Sequence, residues 1–361
     1  MSQTIEVTRF KGSRIRGDIN SFNWENSKHP KLDILREKYA LDKLISSRDE
    51  EFEKVLKLMN WVHNCWKHDP QNAASNQNAL VILSEVEKGF SFRCVEYATL
   101  LVQICTSFGI PSRHVRLIQP YPSGPIEGEA HFVTEIWINK FNKWICFDPQ
   151  TNSYWTYRGI PLGVLELQDI ACKKKTQGLK WHRKSPLNLY KYFEIKLSEK
   201  NIPIKITPVY LKLYSLFKAK KEFLKFFIHP RFYPANMFDK DGKLNVKEIE
   251  FVNTNGEPPQ LVYLNKFENY RFTGDPSIIN FSCNLVDIQI MQLNSRKISI
   301  KLKHCVPWFK QFFIRCNKSD WVASSDSFDW LLSKGENLLE VKAVNNFNMD
   351  TSTSYIEVII T

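Results

Sequence analysis

The chain has 361 residues, 43% of them apolar and 13% aromatic, enough for two or three domains with sizeable cores and too apolar for a disordered chain. No run of about 18 apolar residues occurs, which excludes a spanning helix. The net charge of +12 is concentrated: residues 171–231 hold 16 Lys and Arg against three acids, Glu194, Glu199 and Glu222, and the remainder is close to neutral.

Apolar residues at helical spacing (Phe52, Val55, Leu56, Met59, Val62, Trp66) predict an amphipathic helix over 48–68. A polar loop over 72–78 and a short helix over 79–86 follow. The clearest helix starts at Cys94 and runs through Val95, Ala98, Leu101, Cys105 and Phe108. Gly109 stands at its C′ position and Pro111 prevents continuation, while Ser91 is a candidate cap. Cys94 therefore falls in the first turn. The pattern then changes to period two. A strand is expected over 113–118, a Pro/Gly-rich loop over 119–128, and an antiparallel hairpin over 131–139 and 143–148 that turns at 140–142.

Residues 171–231 are basic, with Trp181, Tyr190, Tyr192 and Phe193 interleaved, and 205–228 fit helix or strand equally. Asp239-Lys-Asp-Gly242 reads as a turn; Met237 stands where a calcium loop would need its first ligand, although Glu248 follows. From Asp275 onward, short strands are expected near 278–281, 286–292, 297–301, 312–315, 338–344 and 354–360. That succession suits an immunoglobulin-like or fibronectin-type sandwich.

Eight cysteines (65, 94, 105, 146, 172, 283, 305, 316) are scattered without a C-x-x-C pair, and the N-terminus lacks a basic stretch leading into an apolar segment. The expectation is a cytoplasmic protein with reduced, mostly buried thiols. One of these thiols has unusual surroundings. A helix N-terminus at Cys94 supplies a positive dipole end and free N–H groups, which favour a thiolate and could bind an oxyanion. If Trp137 and Trp144 face each other across the hairpin, Asp148 faces Val133, and His131 points to the same side. Asp148 can then orient His131 and stabilise its imidazolium. Thiol, base and orienting acid are what a cysteine nucleophile needs.

Three blocks carry a family resemblance: Cys94-Val-Glu-Tyr-Ala-Thr-Leu-Leu101 with Phe108-Gly-Ile-Pro-Ser-Arg-His-Val115, then Ala130-His-Phe-Val-Thr-Glu-Ile-Trp137, then Lys143-Trp-Ile-Cys-Phe-Asp-Pro149. In this order and spacing they resemble the core of the transglutaminase-like superfamily over roughly residues 50–155. The resemblance implies a papain-like α+β core in which Cys94 is the nucleophile, His131 the base and Asp148 the orienting acid. Many members have Gly two residues before the Cys, where this chain has Phe92. Phe90 and Phe92 could narrow the cleft or line it for an apolar group; with Trp137 they are the candidate substrate contacts. The zinc-binding Cys pairs of peptide N-glycanases are absent, which argues against that branch.

Neighbouring residues have plainer readings. Cys105 and Cys146 are packing thiols, and His114 is a packed or surface strand histidine. Arg113 anchors its strand through a salt bridge. His63, Cys65 and His68 do not share one helix face and make no metal site. No metal and no cofactor is expected.

The expected organisation is α+β: a transglutaminase-like domain over 1–170, a basic connecting region over 171–270, and an immunoglobulin-like sandwich over 271–361. The expected activity is acyl transfer from an amide of a peptide or protein through a Cys94 thioester. Hydrolysis is the default over protein-glutamine transfer because water needs no second binding site. The alternatives are a non-catalytic peptide- or glycan-binding protein that keeps the fold, or a binder of anionic polymers through 171–231. Oligomeric state is not encoded in any recognisable pattern.

Overall fold

The computed structural model describes residues 4–15, 24–118, 130–173, 176–183, 229–233, 249–251, 271–273 and 276–361. The expected loop at 119–128, the turn at 239–242 and most of the basic stretch 171–231 lie outside the described residues. In chain order, strand β1 (Ile5–Lys11) and helix α1 (Pro30–Lys38) precede helices α2 (Glu51–Asn64), α3 (Ala79–Val86) and α4 (Cys94–Ser107). Strands β2 (Ser112–Ile118), β3 (Ala130–Ile138), β4 (Lys143–Asp148), β5 (Ser153–Tyr157) and β6 (Ile160–Pro161) follow, then α5 (Val164–Lys173) and β7 (Leu179–Arg183). Short strands β8 (His229–Tyr233), β9 (Ile249–Phe251) and β10 (Arg271–Thr273) lead to a single helical turn, α6 (Pro276–Ile279). The chain ends with β11 (Val286–Asn294), β12 (Lys297–His304), β13 (Phe309–Cys316), β14 (Val322–Ser324), β15 (Ser327–Leu331), β16 (Gly335–Asn345) and β17 (Ser354–Ile360).

Local chemistry sets the helix ends. Asn78 caps α3, its side chain accepting from the amides of Leu80 and Val81. At the end of α4, the Ile110 amide donates to the Cys105 carbonyl at 2.9 Å and the Gly109 amide to Thr106 at 2.9 Å. Gly109 has φ +69°, so this is the Schellman arrangement expected of a C′ glycine. Every residue of α4 after Cys94 is buried, which marks it as a central helix enclosed on all sides. Cys94, at its head, keeps partial solvent access.

The sheet behind α4 runs β10-β9-β8-β2-β3-β4-β5-β6, with β7 also on β5; only the β9–β10 pair is parallel. Alternation along β3 and β4 separates two cores. Ile136, Ile138, Ile145 and Phe147 pack against α1–α4. Val133, Trp137, Trp144 and Cys146 face α5 and the segment around Ile279, Phe281 and Cys283. This layered α+β arrangement is the expected fold class.

A third core lies between two further sheets, β11-β12-β15 and β1-β17-β16-β13-β14. Val286, Ile300, Leu302 and Trp330 from the first meet Leu339, Val341, Ile356 and Val358 from the second, forming the C-terminal β-sandwich. Two sequence expectations change. Residues 278–281 do not form a strand. Arg113 Nη1 donates to the Ile279 carbonyl at 2.7 Å, and Trp144 Nε1 to the Phe281 carbonyl at 3.1 Å. Side-chain donors thus replace a strand ladder, while both apolar residues plug the second core. The other change is β1, which pairs antiparallel with β17, so the first strand completes the last sheet.

Sandwich and core touch through aromatic residues. Trp308 Nε1 donates to the Glu25 carbonyl at 2.7 Å, and Trp24 lies between Trp144 (6.3 Å, stacked) and Trp308 (5.6 Å). Phe347 and Met349 press on Gly109, where an added Cβ would come within 2.7 Å of each.

Candidate active site

The turn that presents Cys94 is held from outside the helix. Asn72 Nδ2 donates to the Ser91 carbonyl at 2.8 Å. The Phe92 carbonyl accepts from the Asp69 amide at 3.0 Å and from Trp66 Nε1 at 3.2 Å. The N-cap is Arg93, extended and making no side-chain hydrogen bond to the helix. Ser91 is therefore not the cap; its segment is committed to Asn72. Arg93 instead pairs with Glu96 at 3.0 Å, and the fully buried Glu96 also accepts from Gln77 at 2.7 Å. This leaves the positive end of the helix dipole uncapped beside the Cys94 thiol, a setting that favours an anion.

The hairpin has the register anticipated from its tryptophans, with Trp137 opposite Trp144 and Thr134 opposite Phe147. His131 Nε2 donates to Asp148 Oδ2 at 2.9 Å. The Cys94 thiol acts on the same imidazole, favouring its protonated form. Thiol, imidazole and carboxylate are thus brought together from α4, β3 and β4.

The carboxylate end is also braced. Asp148 Oδ1 accepts from the Thr151 amide at 3.3 Å. His63, on α2, donates through Nδ1 to the carbonyls of Gln150 (3.0 Å) and Pro149 (3.3 Å), and Asn152 Nδ2 donates to Asn60 at 2.9 Å. His63 thus orients the turn after Asp148, a role its sequence context did not suggest.

The electrostatics favour a charged base. Burial opposes a positive charge on His131, but the Asp148 carboxylate, its hydrogen bond, and Cys94 outweigh that cost and raise the imidazole to about 10. His131 is consequently an imidazolium at neutral pH. It can stabilise a thiolate and deliver a proton to a leaving group.

The remaining sequence candidates divide clearly. Phe90 is 51% exposed, four residues before the thiol. Phe92 is 1% exposed, its ring edge-on to Trp66 at 5.8 Å, and Trp137 is 2% exposed in the second core, donating to Asn139. Packing has taken the ring faces that either could have offered to a substrate. Cys105 and Cys146 are buried, and burial raises both thiols. His114 is fully buried and pushed down to about 4 by desolvation. Arg113 forms a fully buried salt bridge with Glu135 at 2.6 Å, its guanidinium 4.0 Å from the centre of the Trp144 ring. It anchors the strand, as expected, and does so far more deeply than a surface pair would.

A thiol at a helix head is followed in sequence order by a strand histidine and a strand aspartate. Residues 38–149 match the transglutaminase-like superfamily. The transglutaminase-like domain so defined contains α2–α4, β2–β4 and all three site residues. No curated protein matches the chain. Among solved structures, a candidate cysteine protease from Cytophaga hutchinsonii is 22% identical with a TM-score of 0.29, covering 38% of this chain and 43% of its own. Red sea bream transglutaminase is 10% identical with a TM-score of 0.27, covering 95% of this chain and 60% of its own. The chain thus spans less than two thirds of either protein.

Proposed function

We propose that the protein is a cysteine enzyme that opens an amide bond of a peptide or protein through a Cys94 thioester. The observation that carries this reading is the His131–Asp148 hydrogen bond at 2.9 Å, with the thiol at the head of α4 favouring the charged form of the same imidazole. The Cys94 thiolate adds to the carbonyl carbon, and the displaced electron pair resides on oxygen, beside the uncapped head of α4. As the C–N bond breaks, His131 gives its proton to the departing nitrogen, leaving a thioester and a neutral imidazole. An incoming nucleophile then loses a proton to His131 as it attacks, and the C–S bond breaks to restore thiolate and imidazolium. Asp148 holds the ring and its charge throughout.

Water is the default acceptor, since it needs no second site, and gives a peptidase or amidase. A lysine-type amine would give protein-glutamine transfer. Phe90 is the aromatic residue still open to a substrate side chain. The sandwich, with β1 as part of it, serves to position substrate or partner.

The first test is thiol reactivity. Rapid labelling of Cys94 near pH 6, lost in Cys94→Ser and slowed in His131→Ala, is expected. Labelling at the rate of an ordinary free thiol, indifferent to His131→Ala, would refute the reading. Acceptor choice is tested separately by following ammonia release from a glutamine peptide with and without a labelled primary amine. Product containing the amine identifies transfer.

A further inference from the structure

One imidazole near this site has no part in the three-residue arrangement. His68 follows α2, and its neighbour Asp69 supplies the amide that holds the Phe92 carbonyl at 3.0 Å. Its ring lies against Tyr97, with centroids 6.5 Å apart. Tyr97 is one turn after Cys94 on the same helix and is itself tied to the Trp66 carbonyl at 2.8 Å. Unlike His131 and Asp148, which are 8% and 2% exposed, His68 is open to solvent. It also feels the charges of both. It therefore combines solvent exposure with a contact to Tyr97, one turn from Cys94 on the same helix.

We propose that His68 is a specificity-determining residue of the Cys94 site, an imidazole at its mouth that selects reactants by charge. This rests on the Cys94–His131–Asp148 reading. The groups acting on His68 are His131 from β3, Asp148 from β4, Asp69 from its own segment and the Phe92 carbonyl, with the Tyr97 ring alongside. Partial desolvation and then the positive His131 pull its titration below the ordinary histidine value; Asp148, Asp69 and the carbonyl pull the other way, and the former prevail. At neutral pH the two imidazoles are thus in opposite states, His131 charged and His68 neutral. A neutral mouth admits peptides and cationic amines alike. Protonation of His68 adds a second positive charge there, repelling amines and attracting anions.

The test uses the full-length protein and two alkylating agents with the same leaving group, anionic iodoacetate and neutral iodoacetamide. Rates at Cys94 are followed by mass spectrometry from pH 5 to 7.5. The dependence on thiolate fraction is common to both reagents and cancels in their ratio. In the wild type the iodoacetate-to-iodoacetamide ratio should rise about three- to tenfold as pH falls through the His68 titration, the effect of one nearby charge in a partly solvated site. His68→Gln should flatten the ratio across this range, and His68→Lys should hold it high throughout. A merely structural residue would change both rates together and leave the ratio alone. A wild-type ratio independent of pH, or one that still rises in His68→Gln, overturns the proposal. Slow labelling of Cys94 that is insensitive to His131→Ala would instead bring down the reading on which it rests.

Discussion

At the scale of residues, the site depends on a few charges held where water would otherwise screen them. The Asp148 carboxylate keeps the buried His131 ring positive, and both groups come from adjacent strands. Asp148→Asn should leave the fold intact and lower kcat by about 10²–10⁴, the usual span for losing a group that aids proton transfer. Stability should report the same pair. Because His131 titrates higher in the folded protein than in the unfolded chain, its contribution is complete below about 6.5 and disappears as pH rises through about 10. The thermal midpoint of the wild type should therefore exceed that of His131→Gln most clearly near pH 6, with the gap closing toward pH 10. A gap that is constant over this range would contradict the assigned charge. The proposed nucleophile, base and acid were legible in the sequence because each sits at a recognisable local position: a helix head and the two adjacent strands of a hairpin. Phe92 and Trp137 were misleading as substrate contacts because an aromatic residue near a site is attractive to a core as well. Only the tertiary partners, Trp66 for one and Trp144 for the other, decide which.

At the scale of elements, the C-terminal end of the helix that carries Cys94 and the start of the helix before it each make a prediction. Gly109 and Gly159 both have positive φ, +69° and +86°. An added methyl at Gly159 meets nothing within 4 Å, whereas at Gly109 it meets Phe347 and Met349 at 2.7 Å. Gly159→Ala should cost about 1–2 kcal/mol from the left-handed backbone alone. Gly109→Ala should cost clearly more in denaturant unfolding, since the neighbouring loop has to move as well. Asn78→Ala, which removes two hydrogen bonds to the first turn of α3, should cost about 1 kcal/mol. Period and punctuation made α3, α4 and the hairpin readable, including the C′ glycine. They failed at 276–281 because those residues are paired with side-chain donors from Arg113 and Trp144, which no local pattern reports.

At the scale of the whole molecule, the buried Arg113–Glu135 pair joins the sheet, the α5 N-terminus and the segment leading to the sandwich. Glu135 accepts from Arg113 on one oxygen and from the Val164 amide at 2.6 Å on the other, while Arg113 reaches the Ile279 carbonyl. Arg113→Met should destabilise by about 3–5 kcal/mol, because it strands a carboxylate in the core. Adding Glu135→Gln should recover part of that loss, and a double variant no better than the single one would argue against the pair. By itself the sequence determined the helices from 51 to 107 and the register of the hairpin, since each follows from spacing within a few residues. Tertiary structure alone decided that β1 completes the last sheet, that His63 braces the turn after Asp148, and that His68 lies against Tyr97, one turn from Cys94. Those facts depend on contacts between residues far apart in the chain. Their energies arise from burial and mutual orientation, which composition and periodicity do not contain.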